Sequence, residues 1–363
     1  MTHHTSSIIP IWAGLRGNID AYDLIICDLW GVMHDGISLH TPAQDALIEA
    51  RRAGVQTVFL SNAPRPRAYV REHLAAMGMA PELLDNVVTS GGLARDYVRA
   101  HFSGGALYHM GPRTDSGTVA GLPVTLTTKL EDADAILATD LDRGSLDDHR
   151  TLLAGAAERQ VPFLCANPDR VVHVGSKLYA CAGAVADIYA GMGGPVVWFG
   201  KPVASAFMAC RREIGLEDCA PADVPEKILM IGDSMQTDIA GAVAAGLDSV
   251  LITGGIHRAH LAGHFASSPA SPAAGVMTRA AFLEVVPQPE QSANGHAGTH
   301  SAAKALTQRA EETKADTAVK SGSITGTKTG TNPETNTGTN TGADTGAEPP
   351  LVVPSALMQA LAW

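Results

Sequence analysis

The chain reads as an α/β protein, a doubly wound, mainly parallel, Rossmann-like core carrying an inserted α/β cap domain. Three observations predict this. Four short apolar runs, Leu24–Cys27, Thr57–Leu60, Lys227–Ile231 and Ser249–Ile252, have the length and bounding of strands buried on both faces. A helical pattern joins the first two runs and another joins the last two, giving two strand–helix–strand units with right-handed crossovers. Between the units lies a second alternating stretch, where Ala106–Met110, Ala135–Ala138 and Pro162–Cys165 read as strands and Leu146–Gln160 as a helix.

The first helix is well punctuated. Thr41 suits an N-cap, Pro42 the first turn and Gln44 the far side of a capping box, and Gly54 follows the end. The helix of the last unit is expected from Thr237 to Ala245, closed by Gly246 as a left-handed cap. The simplest arrangement assigns residues 1–85 and 196–286 to the core and 86–195 to a cap inserted in one of its loops. Ligands of open α/β sheets bind in the cleft such an arrangement leaves.

From residue 287 to 350 the composition shifts to Thr, Gly, Asn, Ala and Glu, with Gly-Thr-Asn-Thr-Gly-type repeats through Thr325–Thr345. No aromatic residue occurs between Phe282 and Trp363. Such a segment cannot bury enough apolar surface to offset its chain entropy and reads as disordered. Residues 351–363 are apolar again and are expected to dock on the core.

Composition narrows the function. The 363 residues are 45% hydrophobic and carry a formal charge of −11, which argues against a nucleic-acid partner, since that needs a basic face. No apolar run approaches the ~20 residues of a bilayer span, so no membrane partner is expected. The start, Met1-Thr2-His3-His4-Thr5, lacks the pattern of a signal peptide. The five cysteines are odd in number and form no Cys-x-x-Cys pair, which fits buried thiols in a reducing cytoplasm.

Four segments that end strands or open loops carry the chemistry. They are Asp28 with Trp30 and Gly31, Ser61-Asn62, Gly200-Lys201-Pro202, and Gly232-Asp233 through Asp238. Each alone is an ordinary turn, cap or surface charge. Together they supply a carboxylate nucleophile, neutral donors, a cation and further carboxylates, the inventory of phosphoryl transfer. A hard cation on two carboxylates and a carbonyl fits Mg²⁺.

In this combination the chain resembles the haloacid dehalogenase-like hydrolase superfamily, and within it the NagD-like subclass IIA with a large α/β cap. The resemblance spans roughly residues 22–257. Its markers include Asn167-Pro168-Asp169, Ala182-Gly183-Ala184, Gly200-Lys201-Pro202, and Asp233 separated from Asp238 by four residues. It implies a phosphatase acting on a small phosphorylated metabolite, in which Asp28 becomes phosphorylated. Asp28, Asp233 and the main-chain carbonyl of Trp30 would hold Mg²⁺. Ser61 would bind the phosphoryl group with Asn62 beside it, Lys201 would neutralise both the aspartate and the phosphate, and Asp238 would orient Lys201 or support the metal shell. A homo-oligomer formed through the cap is also implied.

Trp30 departs from the family pattern, which usually has aspartate there as general acid and base. Losing such a group typically costs ~10²–10⁴ in rate, or roughly 3–5 kcal/mol. An alkoxide leaving group, with a pKa of about 16 like that of water, should suffer most. A carboxylate, with a pKa of about 4, should suffer little. The departure therefore favours good leaving groups, or a non-phosphate substrate with a carbon–halogen or carbon–phosphorus bond. Its alternative is a phosphate-ligand-binding or regulatory protein with little turnover. His34, Asp35 or a cap residue could replace the acid. His257, His260 and His264 form a further cluster, either a solvated or ligand-facing helical face or a second metal site.

Overall fold

The computed structural model describes residues 8–141, 144–174, 177–216, 224–256, 275–286, 288 and 352–362. Leu24, Ile25, Ile26 and Cys27 form β2 (Leu24–Cys27), and all four are buried. A strand covered on both faces has no solvent side, which explains why its sequence does not alternate with polar residues. Ile25 and Cys27 pack under α1 (Thr41–Arg52) and α2 (Arg67–Ala76), and Leu24 and Ile26 pack under α6 (Ala204–Glu213) and α7 (Ala240–Ala244). Each such side chain, fully buried, contributes roughly 1.5–3 kcal/mol relative to exposure.

Around β2 the first sheet contains eight strands. β3 (Gln56–Ser61) and β4 (Val87–Thr89) lie to one side, and β12 (Ile228–Gly232) and β13 (Asp248–Ile252) to the other, all parallel. Chain order reverses between β2 and β12, so the sheet has its topological switch point there. Beyond β13 come β15 (Ala356–Met358) and β1 (Ile8–Ile11), also parallel, and then β14 (Gly275–Thr278), which is antiparallel to β1. The apolar C-terminal residues thus enter the sheet interior, and Leu15 N–H donates to Ala362 O at 2.8 Å. A last helix, α8 (Arg279–Val285), follows β14 and buries Phe282.

The second sheet has the order β11-β8-β7-β5-β6, from β5 (Ala106–Met110), β6 (Thr125–Thr127), β7 (Ala135–Ala138), β8 (Phe163–Cys165) and β11 (Val196–Trp198). All its pairings are parallel. α4 (Leu146–Glu158) and α5 (Ala182–Gly191) cover one face, and α3 (Ser90–His101) covers the other. A hairpin of β9 (Val171–Val174) and β10 (Lys177–Ala180) stands apart from both sheets.

Several expectations are corrected. The boundaries at 86 and 195 both shift toward the C-terminus by a few residues, because Val87–Thr89 pairs with β3 of the first sheet and Val196–Trp198 pairs with β8 of the second. Thr41 is the first helical residue rather than the N-cap. His40 occupies the cap without a side-chain bond, and Gln44 Oε1 instead accepts from Ala80 N–H at 2.7 Å. The last core helix begins earlier than Thr237, with a wide π-type turn over Met235–Ile239, and Gly246 follows it at φ +72°.

Four cysteines, Cys27, Cys165, Cys181 and Cys210, are buried and free, and Cys219 lies outside the described residues. So do His257, His260 and His264 and, Gln288 apart, the low-complexity segment. Among the described residues no helix is long and apolar enough to cross a membrane.

Candidate active site

Asp28, Ser61 and Asp233 stand at the carboxyl ends of β2, β3 and β12, three neighbours at the switch point. Lys201, which follows β11 on the return from the cap, reaches into this edge. Its Nζ lies 2.5 Å from Asp28 Oδ1 and 2.7 Å from Asp238 Oδ1, and its side chain is 3% exposed. Ser234 N–H donates to the other Asp238 oxygen at 3.0 Å, so Asp238 is a fixed strut behind the lysine. Asp233 Oδ2 accepts from Ile256 N–H at 3.0 Å. Gly31, at φ +81°, lies so close that a Cβ there would sit 2.1 Å from Asp233 Oδ2. Only glycine combines that backbone with that approach.

The charges do not balance. Asp28, Asp233 and Asp238 bring ligand atoms within 4.8 Å of one another, and Lys201 is the single cation contacting them in the ion pairs described. Burial raises the Asp28 carboxyl to about 7 despite Lys201, with Asp238 adding repulsion. Burial, then Asp28 and Asp238, push Asp233 well above the carboxylate range. Burial alone would strip Lys201 of its proton, but Asp238 and Asp28 together outweigh it and hold the ammonium above the ordinary lysine range. A buried anionic pocket with one cation too few, lined by oxygen donors, fits a hard divalent ion.

Asn62, beside Ser61, is engaged with both Lys201 and the cap. Its Nδ2 donates to Lys201 O at 3.0 Å and to Asp169 Oδ1 at 2.9 Å, and its Oδ1 accepts from Lys201 N–H at 2.8 Å. Both amide protons are committed, so the Asn62 side chain clamps the Lys201 backbone and ties the core to the cap. Ser61 Oγ accepts from Ala63 N–H at 3.2 Å, which leaves its own proton to donate at the strand end.

The indole of Trp30 is 47% exposed. It packs over Gly36 and meets the His34 ring edge-on at 5.4 Å. The two neighbouring candidates are turned to backbone partners. Burial, followed by His73 and His40, lowers His34 to about 4, and its Nδ1 accepts from Gly36 N–H at 3.0 Å. Asp35 Oδ1 accepts from Ile37 and Ser38 N–H groups, which keep it ionised.

Sequence reasoning marked Asn167-Pro168-Asp169 without giving it work. The structure brings Asp169, 107 positions away in sequence, to Asn62. Further links across the domains are Arg65 with Asp115 at 2.7 Å and Thr118 Oγ1 donating to Pro64 O at 2.6 Å. No periodicity announces such contacts.

A doubly wound sheet under an α/β cap, with a carboxylate–lysine centre at the switch point, defines a capped α/β protein built for anionic chemistry. The family model described as haloacid dehalogenase-like hydrolase matches residues 25–122, and one described as HAD-hydrolase-like matches residues 198–278. A crystal structure of a haloacid dehalogenase-like family hydrolase from Brucella suis is 36% identical. The match covers 68% of this chain and 91% of that one, with a TM-score of 0.60. The chain belongs to the haloacid dehalogenase-like hydrolase family. Dihydroxyacetone phosphatase of Corynebacterium glutamicum is 34% identical over 95 residues, 26% of this chain and 32% of that protein, so the match spans about a third of this curated relative. A glycerol phosphate phosphatase from Mycobacterium tuberculosis, solved with magnesium, shares the fold at 23% identity. That match covers 69% and 73% of the two chains with a TM-score of 0.53.

Proposed function

We propose that the protein hydrolyses a small phosphorylated metabolite through an aspartyl-phosphate on Asp28, with Mg²⁺ as cofactor. The observation that carries this reading is Lys201 held between Asp28 and Asp238, which sets a counter-charge beside a buried carboxylate where an in-line nucleophile is needed. Asp28 and Asp233, with the carbonyl of Trp30, would hold the metal. When bound, it neutralises carboxylate and phosphate oxygens. Asp28 Oδ attacks phosphorus, Ser61 donates to a phosphoryl oxygen, and Lys201 offsets the charge that builds on both partners. The cap closes the cleft, excludes water and sets specificity.

The loop holding Trp30 supplies no proton, so this loop alone favours leaving groups that need none, such as the carboxylate of an acyl phosphate. The dihydroxyacetone phosphatase and glycerol phosphate phosphatase among the relatives act on small phosphate esters by name, which supports the substrate class. Assays with acetyl phosphate, p-nitrophenyl phosphate and sugar phosphates, with and without Mg²⁺, test the reading. Mg²⁺-dependent phosphate release, fastest with acetyl phosphate, is expected. No release from any substrate would contradict it. Trp30 then favours the second reading, a phosphate-ligand-binding protein with little turnover.

A further inference from the structure

We propose that β15, the C-terminal strand, is a positioning element of the metal site and sets its affinity for Mg²⁺. The inference rests on the metal reading above and gives the apolar C-terminal segment a part in it. A metal ligand is oriented by the groups behind it, and removing one such group typically costs about 10–100-fold in affinity. For Asp233 those groups lead through one loop to β15.

The loop follows β13 and lies against the carboxylate. Ile256 N–H donates to Asp233 Oδ2 at 3.0 Å. A Cβ on Gly255 would sit 2.2 Å from the same oxygen, so Asp233 is enclosed between the backbones of Gly31 and Gly255. On its other side the loop is tied to the C-terminal segment. Thr253 N–H donates to Met358 O at 2.8 Å, and Gly254 N–H donates to Gln359 O at 2.9 Å. Thr253 is buried, and its Oγ1 also donates to Met358 O, at 3.3 Å. A Cβ on Gly254 would lie 2.6 Å from Gln359 O, although Gly254 does not have a left-handed φ. Its need for glycine is therefore the close approach of Gln359 and not the backbone angle.

The side chains of β15 repeat the link on both faces of the sheet, as the alternation of a strand requires. Leu357 belongs to the buried cluster of Met235 and Ile239, from the π-type turn that follows Asp233 and contains Asp238. Met358 and Leu361 belong to the opposite cluster with Leu29 and Val32, which flank Trp30 and Gly31. One strand thus backs both segments that carry the ligand candidates, while its main chain holds the loop against Asp233. The other end of β15 has its own anchor. Ser355 Oγ accepts from Ser249 N–H at 3.1 Å and donates to Asp248 Oδ1 at 3.2 Å. That anchor lies four residues from Gln359, roughly 13 Å along an extended chain.

If the grip of Gln359 on Gly254 loosens, the N–H groups of Thr253 and Gly254 lose their acceptors, and the loop loses its tether on the side away from Asp233. Asp233 then becomes a less fixed ligand, and the metal is held more weakly. The coupling is reciprocal: what the strand end adds to Mg²⁺ binding, Mg²⁺ returns as tighter docking of the strand end.

The test is Gly254→Ala in the full chain, which pushes on Gln359 O without touching Asp233, with Ser355→Ala as the control that loosens the far end of the same strand. Mg²⁺ alone is titrated into each protein by calorimetry, beside thermal melts in chelator. Gly254→Ala should raise the Mg²⁺ Kd by about 10–100-fold. Ser355→Ala should lower the melting temperature and leave Kd unchanged. In the parent, Mg²⁺ should slow hydrogen exchange at the Thr253 and Gly254 amides more than at the Ser249 amide, a measurement that decides the matter if Gly254→Ala does not fold. A parent-like Kd in Gly254→Ala, an equal rise in both variants, or uniform slowing of exchange would make β15 a stabilising strand only and overturn the proposal. A parent that binds no Mg²⁺ would overturn the metal reading, and this proposal with it.

Discussion

The two sides of the cleft are built differently. On the core side Asp28, Lys201, Asp233 and Asp238 are all buried, with Lys201 bridging Asp28 and Asp238 and backbone N–H groups holding Asp238 and Asp233. On the cap side Asp169 is only partly buried and joined to the core by one side-chain bond, while across the cleft the core residue Trp30 leans outward over Gly36. The difference teaches where each requirement sits. Stabilising charge on phosphorus needs groups that cannot move, because preorganised charges act without reorganisation.

The largest break in this comparison comes from the nucleophile. Asp28→Asn is nearly isosteric and should keep the fold while lowering turnover on the order of 10⁴-fold or more. Turnover with acetyl phosphate beside a thermal melt checks it, and parent-like rates would remove Asp28 from the chemistry. Next is the buried cation. Lys201→Met leaves Asp28 and Asp238 without their counter-charge, and breaking a buried pair should cost about 3–5 kcal/mol of stability. Denaturant unfolding measures this. A variant as stable as the parent would mean that the core side is less tightly preorganised than its contacts suggest.

Position 30 sharpens the contrast between the sides. If turnover is limited by a missing acid at position 30, Trp30→Asp should raise alkyl phosphate hydrolysis by about 10²-fold and acetyl phosphate hydrolysis little, because only the alkoxide needs a proton. Steady-state kinetics with both substrates, beside a thermal melt, separate these outcomes. Equal changes with the two substrates in a folded variant would sink the missing-acid account.

The smallest expected effect concerns protons and metal. The Asp28 carboxyl near 7 lies above the ordinary value of about 3.9, so the metal-free folded state takes up protons more readily than the unfolded chain. Without metal, stability should rise as pH falls from about 8 toward 5. Mg²⁺ holds the carboxylates ionised, so its stabilising shift in melting temperature should be largest near pH 8 and shrink to little by about pH 5. Melting curves with Mg²⁺ or with chelator report it, and a shift independent of pH would place the metal elsewhere.

Much of the core side was legible because its residues follow buried strands. Asp28 ends an apolar run, as Asp233 does, and Lys201 lies in a recognisable Gly-Lys-Pro turn. The fold class was legible for the same reason. The contact between core and cap was not, since Asn62 and Asp169 meet across 107 positions. The three-residue strands Val87–Thr89 and Val196–Trp198 are too short to show a period, so the sheet limits misled by a few residues. The outward lean of Trp30 follows from the turn at Gly36, at φ +91°, and not from its own identity.

The account stands on covalent chemistry at Asp28, and trapping that bond tests it most directly. The parent is mixed with Mg²⁺ and acetyl phosphate labelled in its phosphoryl group, then quenched in acid, which preserves an acyl phosphate. Label should appear on the peptide containing Asp28, be released by hydroxylamine, and be missing from Asp28→Asn. Turnover without label on that peptide, or label that persists in Asp28→Asn, would contradict the account.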